Sequence, residues 1–286
     1  MPRLTDIAVV RDILSRNGIV LQKSMGQNFL VNPSVCPRMA ELSGIDDTTG
    51  VIEIGPGIGV LTVELAKLAR RVVAIELDGR LKPVLAETLS DFDNIDIIWG
   101  DAMKLNLHAV IKEKFADCDK VCVCANLPYY ITSPVIMKLL EDRLPLDSIT
   151  VMVQLEAAQR MCAEVGSRES GAVTVSVNYY SDPELLFRVS PGSFLPPPKV
   201  DSAVMKLNIR RDALLEEAYE PTFRKLVRAG FLQRRKTFVN SVTSTGEFSK
   251  DSIFEALSHI GAEPSVRAEK LTMQQLTELA RFITEN

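Results

Sequence analysis

Short apolar runs alternate with amphipathic segments through the first two-thirds of the chain. The runs at residues 51–54, 71–76, 95–99 and 121–125 are rich in β-branched residues and too short for helices, so each predicts a buried strand. Apolar residues at helical spacing lie between them, as at residues 60–68. Strands that alternate with helices in this way predict an α/β fold with a mostly parallel sheet.

The pattern changes near residue 210. Before it, we predict further strands at residues 148–155, 172–180, 185–189 and 201–209, and a helix near residues 156–164. After it, only helical patterns occur, near residues 221–231, 235–243, 249–259 and 272–283. We therefore predict an α/β domain at residues 1–210 and a smaller all-helical domain at residues 211–286.

Glycines and acidic residues follow the first three predicted strands. Gly55-Pro56-Gly57-Ile58-Gly59 separates a strand from a helix, as in nucleotide-binding sites. Val60 stands where a dinucleotide fingerprint requires Gly or Ala, and Glu53 adds negative charge, so the turn favours a cationic ligand. Glu76 is placed to accept ribose hydroxyls, and Asp101 an adenine amine. Taken alone, Glu76 also fits a solvated strand end, although less well behind a glycine turn, and Asp101 a turn residue or helix cap.

Asn126-Leu127-Pro128-Tyr129 directly follows the apolar run at residues 121–125. Pro128 cannot continue a strand ladder, so the chain leaves the sheet there, at the edge where α/β sheets bind ligands. The Asn126 side chain and the Leu127 carbonyl offer acceptors, and Tyr129 offers a flat face. This combination suits a planar base with an exocyclic amine. Taken alone, the segment is more typical of a strand exit whose Asn satisfies local backbone groups.

The chain carries a formal net charge of −4, but its basic residues are unevenly distributed. Residues 221–240 hold six basic and no acidic side chains, whereas 27 basic and 37 acidic ones occupy the remainder. Such a stripe indicates an RNA-phosphate contact, or else one solvated helix face. The candidate RNA-binding residues are Arg224, Lys225, Arg228, Arg234, Arg235 and Lys236.

Composition limits the other classes of function. The chain has 286 residues, 46% of them hydrophobic, and no apolar run is long enough to span a membrane. Its first residues are charged and lack an apolar region, so we expect no secretory signal. Its five cysteines include no C-x-x-C pair, which favours reduced thiols in the cytoplasm. Two histidines argue against a His-based metal site or catalytic triad, so we expect no metal.

Five motifs occur in an order that is similar to a known family. Together they resemble the ribosomal RNA adenine N6,N6-dimethyltransferases, in particular their bacterial small-subunit members. The resemblance implies a Rossmann-like class I methyltransferase fold with a mostly parallel, seven-stranded sheet. The motifs are Gly26-Gln27-Asn28-Phe29-Leu30, Glu53-Ile54-Gly55-Pro56-Gly57, Asn126-Leu127-Pro128-Tyr129-Tyr130, Pro198-Lys199-Val200-Asp201-Ser202-Ala203-Val204 and Gln233-Arg234-Arg235-Lys236-Thr237.

The resemblance implies S-adenosylmethionine as methyl donor and S-adenosylhomocysteine as product. It also implies that Asn126 and the Leu127 carbonyl hold the target amine, while Tyr129 and Phe194 lie against an unpaired adenine. By motif match, the residues expected to contact the donor are Asn28, Leu30, Gly55, Glu76, Asp101 and Asn126.

The substrate implied by the resemblance is a pair of adjacent adenosines in the hairpin at the 3′ end of small-subunit rRNA. Methylation would take place in the immature 30S particle, with four methyl transfers. We expect a cytoplasmic monomer that does not bind membranes. Three alternatives stay open: a large-subunit rRNA dimethyltransferase of the macrolide-resistance type, a dinucleotide-dependent oxidoreductase, which Val60 disfavours, and a binding factor for subunit assembly.

Overall fold

A computed structural model describes residues 3–19 and 28–286. The chain divides into two compact units by its internal contacts. The first unit comprises Met1–Ala158 and Glu184–Ile209, and the second comprises Gln159–Pro183 and Arg210–Asn286. The division into an α/β domain before residue 210 and a helical domain after it stays a prediction. Gly26 and Gln27 of the first family motif lie outside the described residues.

The strands of the described residues form a seven-stranded sheet and a two-stranded ribbon. The sheet has the order β4-β3-β2-β5-β6-β9-β7, and the ribbon pairs β1 with β8. Neighbours among the first five strands of the sheet are parallel, whereas β9 is antiparallel to β6. The strands are β1 (Phe29–Leu30), β2 (Thr49–Ile54), β3 (Arg71–Glu76), β4 (Ile95–Trp99), β5 (Lys120–Asn126), β6 (Ser148–Gln154), β7 (Ser181–Val189), β8 (Phe194–Leu195) and β9 (Ser202–Ile209).

Helices connect the strands and make up most of the second unit. Among the described residues, none is long and apolar enough to cross a membrane. The helices are α1 (Ile7–Arg16), α2 (Val35–Ser43), α3 (Val60–Ala66), α4 (Lys82–Thr88), α5 (Leu107–Lys114), α6 (Thr132–Glu141), α7 (Leu155–Met161), α8 (Ala172–Tyr180), α9 (Glu220–Gly230), α10 (Phe238–Thr243), α11 (Lys250–His259) and α12 (Met273–Glu285). The α/β class and the mostly parallel, seven-stranded sheet predicted from the sequence are confirmed.

The strand predicted at residues 172–180 is wrong, because α8 occupies this segment. Its alternating β-branched residues imitate a strand, but two polar side chains anchor a helix. The Thr174 hydroxyl donates to the Arg160 carbonyl at 2.7 Å. The Asn178 amide donates to the carbonyls of Met161 at 3.2 Å and Thr174 at 2.9 Å. The bonds to residues 160 and 161 are tertiary contacts, and they override the weak local preference for a strand.

The order of the strands creates one crevice at the centre of the sheet. From β2 the chain adds β3 and β4 on one side, and then crosses to place β5 on the other side of β2. Such a reversal is a topological switch point, where the loops after adjacent strands diverge and leave a crevice at the carboxyl edge. Because β2 and β5 flank this point, the glycine turn after β2 and the Asn-Leu-Pro-Tyr segment after β5 meet there.

Candidate functional site

The glycine turn after β2 forms the floor of a cavity at this switch point. Gly55 and Gly57 have φ values of 74° and 60°, in the left-handed region that favours glycine. A Cβ built on Gly55 would meet no atom within 4 Å, whereas one on Gly57 would lie 3.4 Å from the Phe29 ring. The backbone therefore borders open space at Gly55, where a bound group can approach it closely.

Glu53 places an unsatisfied carboxyl group beside this floor. Its side chain is 1% exposed, and Oε2 has no hydrogen-bond partner within residues 3–19 and 28–286. Burial raises the pKa of Glu53 to about 8, although the neighbouring Thr62 hydroxyl opposes the shift. Because this buried carboxyl oxygen lacks a partner, a cation complements it best, and the cavity fits a positively charged ligand such as a sulfonium or an ammonium group.

Glu76 ends β3 with both carboxylate oxygens held by backbone groups. Oε1 accepts from the Asp78 N–H at 2.7 Å, and Oε2 accepts from the Gly57 N–H at 3.3 Å. Burial raises the pKa of Glu76, and these two hydrogen bonds oppose the shift. A carboxylate has about four lone-pair positions, so these bonds leave acceptor capacity for ligand hydroxyls. The geometry suits a ribose diol.

Asp101 follows β4 and can serve both as a turn residue and as an acceptor for a ligand amine. Its Oδ1 accepts from the Met103 N–H at 2.9 Å, which fixes the turn after the strand. Its Oδ2 lies 3.9 Å from the Lys104 ammonium, at the outer limit of an ion pair. Asp101 also lines the same cavity as Gly55 and Glu76. Its carboxylate can therefore cap the turn and still face a ligand.

The Asn-Leu-Pro-Tyr segment lines the cavity from the end of β5. Asn126 is half-buried and pairs with Met152 of β6, which fixes its backbone at the strand end. The position of Tyr129 is fixed by β9, because its hydroxyl hydrogen-bonds the buried Ser202 hydroxyl at 2.6 Å. Burial raises the pKa of Tyr129, so its phenol stays neutral. The ring is thus fixed as a wall of the cavity.

The ribbon of β1 and β8 completes the wall. Leu30 pairs with Phe194, and Phe29 pairs with Leu195. Phe194 is 4% exposed, so its side chain is buried in the wall and does not project from the proline-rich loop that follows it. Leu30 and Phe194 still line the cavity, and Asn28 joins them at the start of the ribbon.

One cavity therefore gathers every residue that the sequence proposed for the donor and the base. Sequence reasoning missed several of its neighbours. Leu77 follows Glu76, is 60% exposed and lines the cavity, and its apolar character at a strand end could have indicated it. Tyr130, 62% exposed, also lines the cavity. Ser202 belongs to the fourth family motif, but its contact with Tyr129 could not be predicted, since 73 residues separate the two. The predicted residues lining the cavity are Asn28, Leu30, Gly55, Glu76, Asp101, Asn126, Leu127, Tyr129 and Phe194.

The basic stripe of the second unit falls into two groups. Arg224 donates to Glu220, which also accepts from the Tyr180 hydroxyl at 2.8 Å, so it belongs to a partly buried network. Lys225 lies 3.3 Å from Glu247 in an exposed ion pair. The remaining four are exposed and form no ion pair with any residue that the structure describes: Arg228, Arg234, Arg235 and Lys236.

Comparisons with known proteins agree with this geometry. The family model of the ribosomal RNA adenine dimethylases matches residues 19–285. The ribosomal RNA small subunit methyltransferase A of Shouchella clausii is 45% identical over 270 residues, covering 94% of this chain and 91% of the relative. The protein of the same name from Geobacillus thermodenitrificans is 44% identical over 276 residues, covering 96% of this chain and 94% of the relative.

Two solved structures share the architecture. A dimethyladenosine transferase from Plasmodium falciparum superposes with a TM-score of 0.72 at 27% identity, covering 87% of this chain and 95% of that one. The 23S rRNA methyltransferase ErmE gives a TM-score of 0.68 at 28% identity, covering 90% and 99% of the two chains. With a family match over nearly its whole length and this cavity at the switch point, the chain belongs to the ribosomal RNA adenine dimethylase family.

Proposed function

We propose that the protein transfers methyl groups from S-adenosylmethionine to N6 of two adjacent adenosines in the 3′-terminal hairpin of small-subunit rRNA. One observation carries the proposal: a single cavity holds both a nucleoside-type acceptor set after β2, β3 and β4 and an amide–aromatic segment after β5. The relatives with 44–45% identity, which are named small subunit methyltransferases, support the choice of rRNA. We propose a cytoplasmic monomer that acts on the immature 30S particle.

The donor would lie along the carboxyl edge of the sheet. Its sulfonium centre supplies an electrophilic methyl group when bound. Glu76 would accept the ribose hydroxyls, Asp101 the adenine amine, and Gly55 would let the methionine part approach the backbone. Asn28, Leu30 and Asn126 line the remainder of the cavity. The buried carboxyl group of Glu53 would lose its proton as a cationic donor binds and so supply the matching negative charge.

The adenine would enter the cavity from the side of Tyr129 and Phe194. Its N6 is a weak nucleophile because its lone pair is delocalised into the ring. The side-chain oxygen of Asn126 and the Leu127 carbonyl would accept hydrogen bonds from the amine and orient the lone pair. No strong base is needed, since the amine proton becomes acidic only as the new bond forms. The fixed ring of Tyr129 would hold the unpaired base by stacking.

The direct test uses unmethylated 30S particles, the purified protein and isotopically labelled donor. Mass analysis should find N6,N6-dimethyladenosine at two adjacent positions near the 3′ end of small-subunit rRNA. Unmethylated 50S particles in a parallel reaction should stay unlabelled. Label in the large-subunit rRNA alone would instead assign the activity named for ErmE, and NAD(H) binding without donor binding would indicate an oxidoreductase.

Glu76→Ala should weaken donor binding by about 10- to 100-fold, because hydrogen bonds to a charged acceptor contribute roughly 1.5–3 kcal/mol. Calorimetry with the donor measures this change, and a thermal melt checks the fold. Glu113→Ala, which removes a carboxylate that is 73% exposed, is the matched control and should bind like the wild type. An unchanged affinity in Glu76→Ala would remove this residue from the site.

If Glu76→Ala still binds 30S particles and stalls their assembly, the protein also acts as a binding factor.

The exposed part of the basic stripe should bind rRNA through its phosphates. Replacing Arg234, Arg235 and Lys236 by alanine should weaken 30S binding and leave donor affinity unchanged. If each side chain meets one phosphate, the slope of log affinity against log salt should flatten by roughly two to three units, at about 0.7–0.9 per contact. The slope is measured by 30S binding across a salt series.

The matched control for the stripe removes three other exposed cations of the second unit. The triple variant Lys250→Ala, Arg267→Ala and Lys270→Ala changes the net charge equally. It should keep the wild-type slope. Parallel slopes for the wild type and the stripe variant, with intact melts, would show that the stripe is a solvated face.

A further inference from the structure

A second cavity lies in the first unit, outside the residues assigned above. Its volume is about 340 Å³. Its lining is mainly polar and includes two arginines but a single acidic side chain. Among the residues that line it are Asn32, Ser34, Arg38, Arg188, Ser193 and Asp201.

The two arginines give the cavity a positive balance. Arg38 and Arg188 are exposed at its rim, and neither forms an ion pair within the described part of the chain. The Arg38 guanidinium lies 4.2 Å from the centroid of the Phe187 ring, so stacking orients it without neutralising its charge. Asp201 also lines the cavity, which leaves two positive charges against one negative charge. An anion with one negative charge matches this lining.

A buried hydroxyl adds a second feature. Ser193 is 4% exposed, and its Oγ accepts from the Asn32 amide at 3.1 Å. Asn32 in turn accepts at Oδ1 from the Ser34 N–H at 3.1 Å and from its hydroxyl at 2.9 Å. The Ser193 hydroxyl proton has no acceptor among the described residues, so it can point into the cavity. Arginines with serine and asparagine side chains are the groups that proteins direct at phosphate oxygens.

The position of this cavity links it to the target base. The Ser193 carbonyl accepts from the N–H groups of Val31 at 2.8 Å and Asn32 at 3.3 Å, which extends the pairing of β1 with β8. Along this ribbon, Leu30 and Phe194 line the donor cavity, whereas Asn32, two residues after Leu30, and Ser193, directly before Phe194, line the second cavity. The two cavities therefore share the ribbon as a wall.

We propose that this arginine-flanked cavity binds one backbone phosphate of the RNA strand that carries the target adenosine. The inference rests on the proposed function, because a strand whose base lies against Phe194 must pass its backbone over the adjoining ribbon. The planar guanidinium groups suit the paired oxygens of a phosphodiester. Holding a phosphate there fixes the register of the strand without reading its sequence.

The test replaces Arg38 and Arg188 together by glutamine and measures binding of unmethylated 30S particles across a salt series. We expect about tenfold weaker binding and a slope that is flatter by about 0.7–0.9 for one phosphate. The KM for particles should rise with little change in kcat, and donor affinity by calorimetry should be unchanged. The double lysine variant of the same positions keeps the charge and should recover the wild-type slope.

The control double variant, Arg11→Gln with Lys112→Gln, removes two exposed cations of the same unit that line neither cavity. It should bind 30S particles like the wild type. If the wild type methylates 30S particles and the glutamine variant keeps the wild-type slope and KM, the phosphate site is refuted while the proposed function stands. If the wild type methylates no small-subunit rRNA, the proposed function fails and the phosphate site fails with it.

Discussion

Asn126→Ala is expected to lower kcat for methyl transfer by about 10²–10³-fold, the range found when one oriented polar group is removed from a reacting centre. The Asn126 side chain lines the cavity beside the Leu127 carbonyl, where both would accept hydrogen bonds from the target amine. Losing one acceptor leaves the amine free to rotate, so its lone pair no longer faces the methyl group. Affinity for 30S particles should change little, because phosphate contacts dominate RNA affinity.

Single-turnover methylation of 30S particles at saturating donor measures this loss, with calorimetry to check donor binding. Asn208→Ala is a matched control, because it removes an exposed amide from β9, and Asn208 does not line the cavity. The control should methylate at the wild-type rate. A near wild-type rate in Asn126→Ala itself would refute the positioning role and leave Tyr129 and the Leu127 carbonyl as the remaining candidates.

The donor side of the cavity was accessible from the sequence because it is built from strand ends. A parallel strand ends where its apolar run ends, and in an α/β sheet all such ends lie at one edge. Gly55, Glu76 and Asp101 could therefore be placed together before any contact was known. Asn126 was assigned to the same site only by resemblance, and the sheet order supplies the physical reason, because β2 and β5 are neighbours and bring it to the same crevice.

Features that depend on distant contacts were not predictable in this way. The two-residue strands β1 and β8 are too short for any periodicity, and they form only because Phe29 and Leu30 pair with residues 194–195. The α8 segment has the composition of a strand, and its helix depends on bonds from Thr174 and Asn178 to distant carbonyls. Local patterns cannot contain such information, since each partner lies elsewhere in the sequence.

The charge pattern was informative about the location of the stripe but not about individual residues. Six cations without acids within residues 221–240 identified a basic segment. The partners of Arg224 and Lys225, however, are Glu220 and Glu247, which flank that window. Counting charges along a stretch of sequence treats all six cations alike. The helix, however, places residues 220 and 224 one turn apart on one face, where they form an ion pair.

Glu53→Gln is expected to stabilise the donor-free protein at alkaline pH. The folded protein holds the pKa of this buried acid at about 8, against 4.5 for the free side chain. The stability that Glu53 contributes as a neutral acid is therefore complete below pH 4.5 and is lost as the pH rises through 8. Glutamine has the shape of the protonated acid but does not titrate. Between pH 5 and pH 8 the wild type should lose on the order of 3 kcal/mol more unfolding free energy than the variant.

Denaturant unfolding of both proteins at pH 5 and pH 8 measures this difference, with Glu113→Gln as the control for an exposed acid. The two proteins should differ in the opposite direction in their affinity for the donor. A cationic donor favours the ionised carboxylate, so the wild type should bind it more tightly and release a proton on binding near pH 7. The glutamine variant should bind more weakly and release none at this site. Parallel pH profiles of stability in the wild type and the variant would show that the pKa of Glu53 is not raised in the folded protein. Glu53 would then be ionised before the donor binds, and donor binding would release no proton from it.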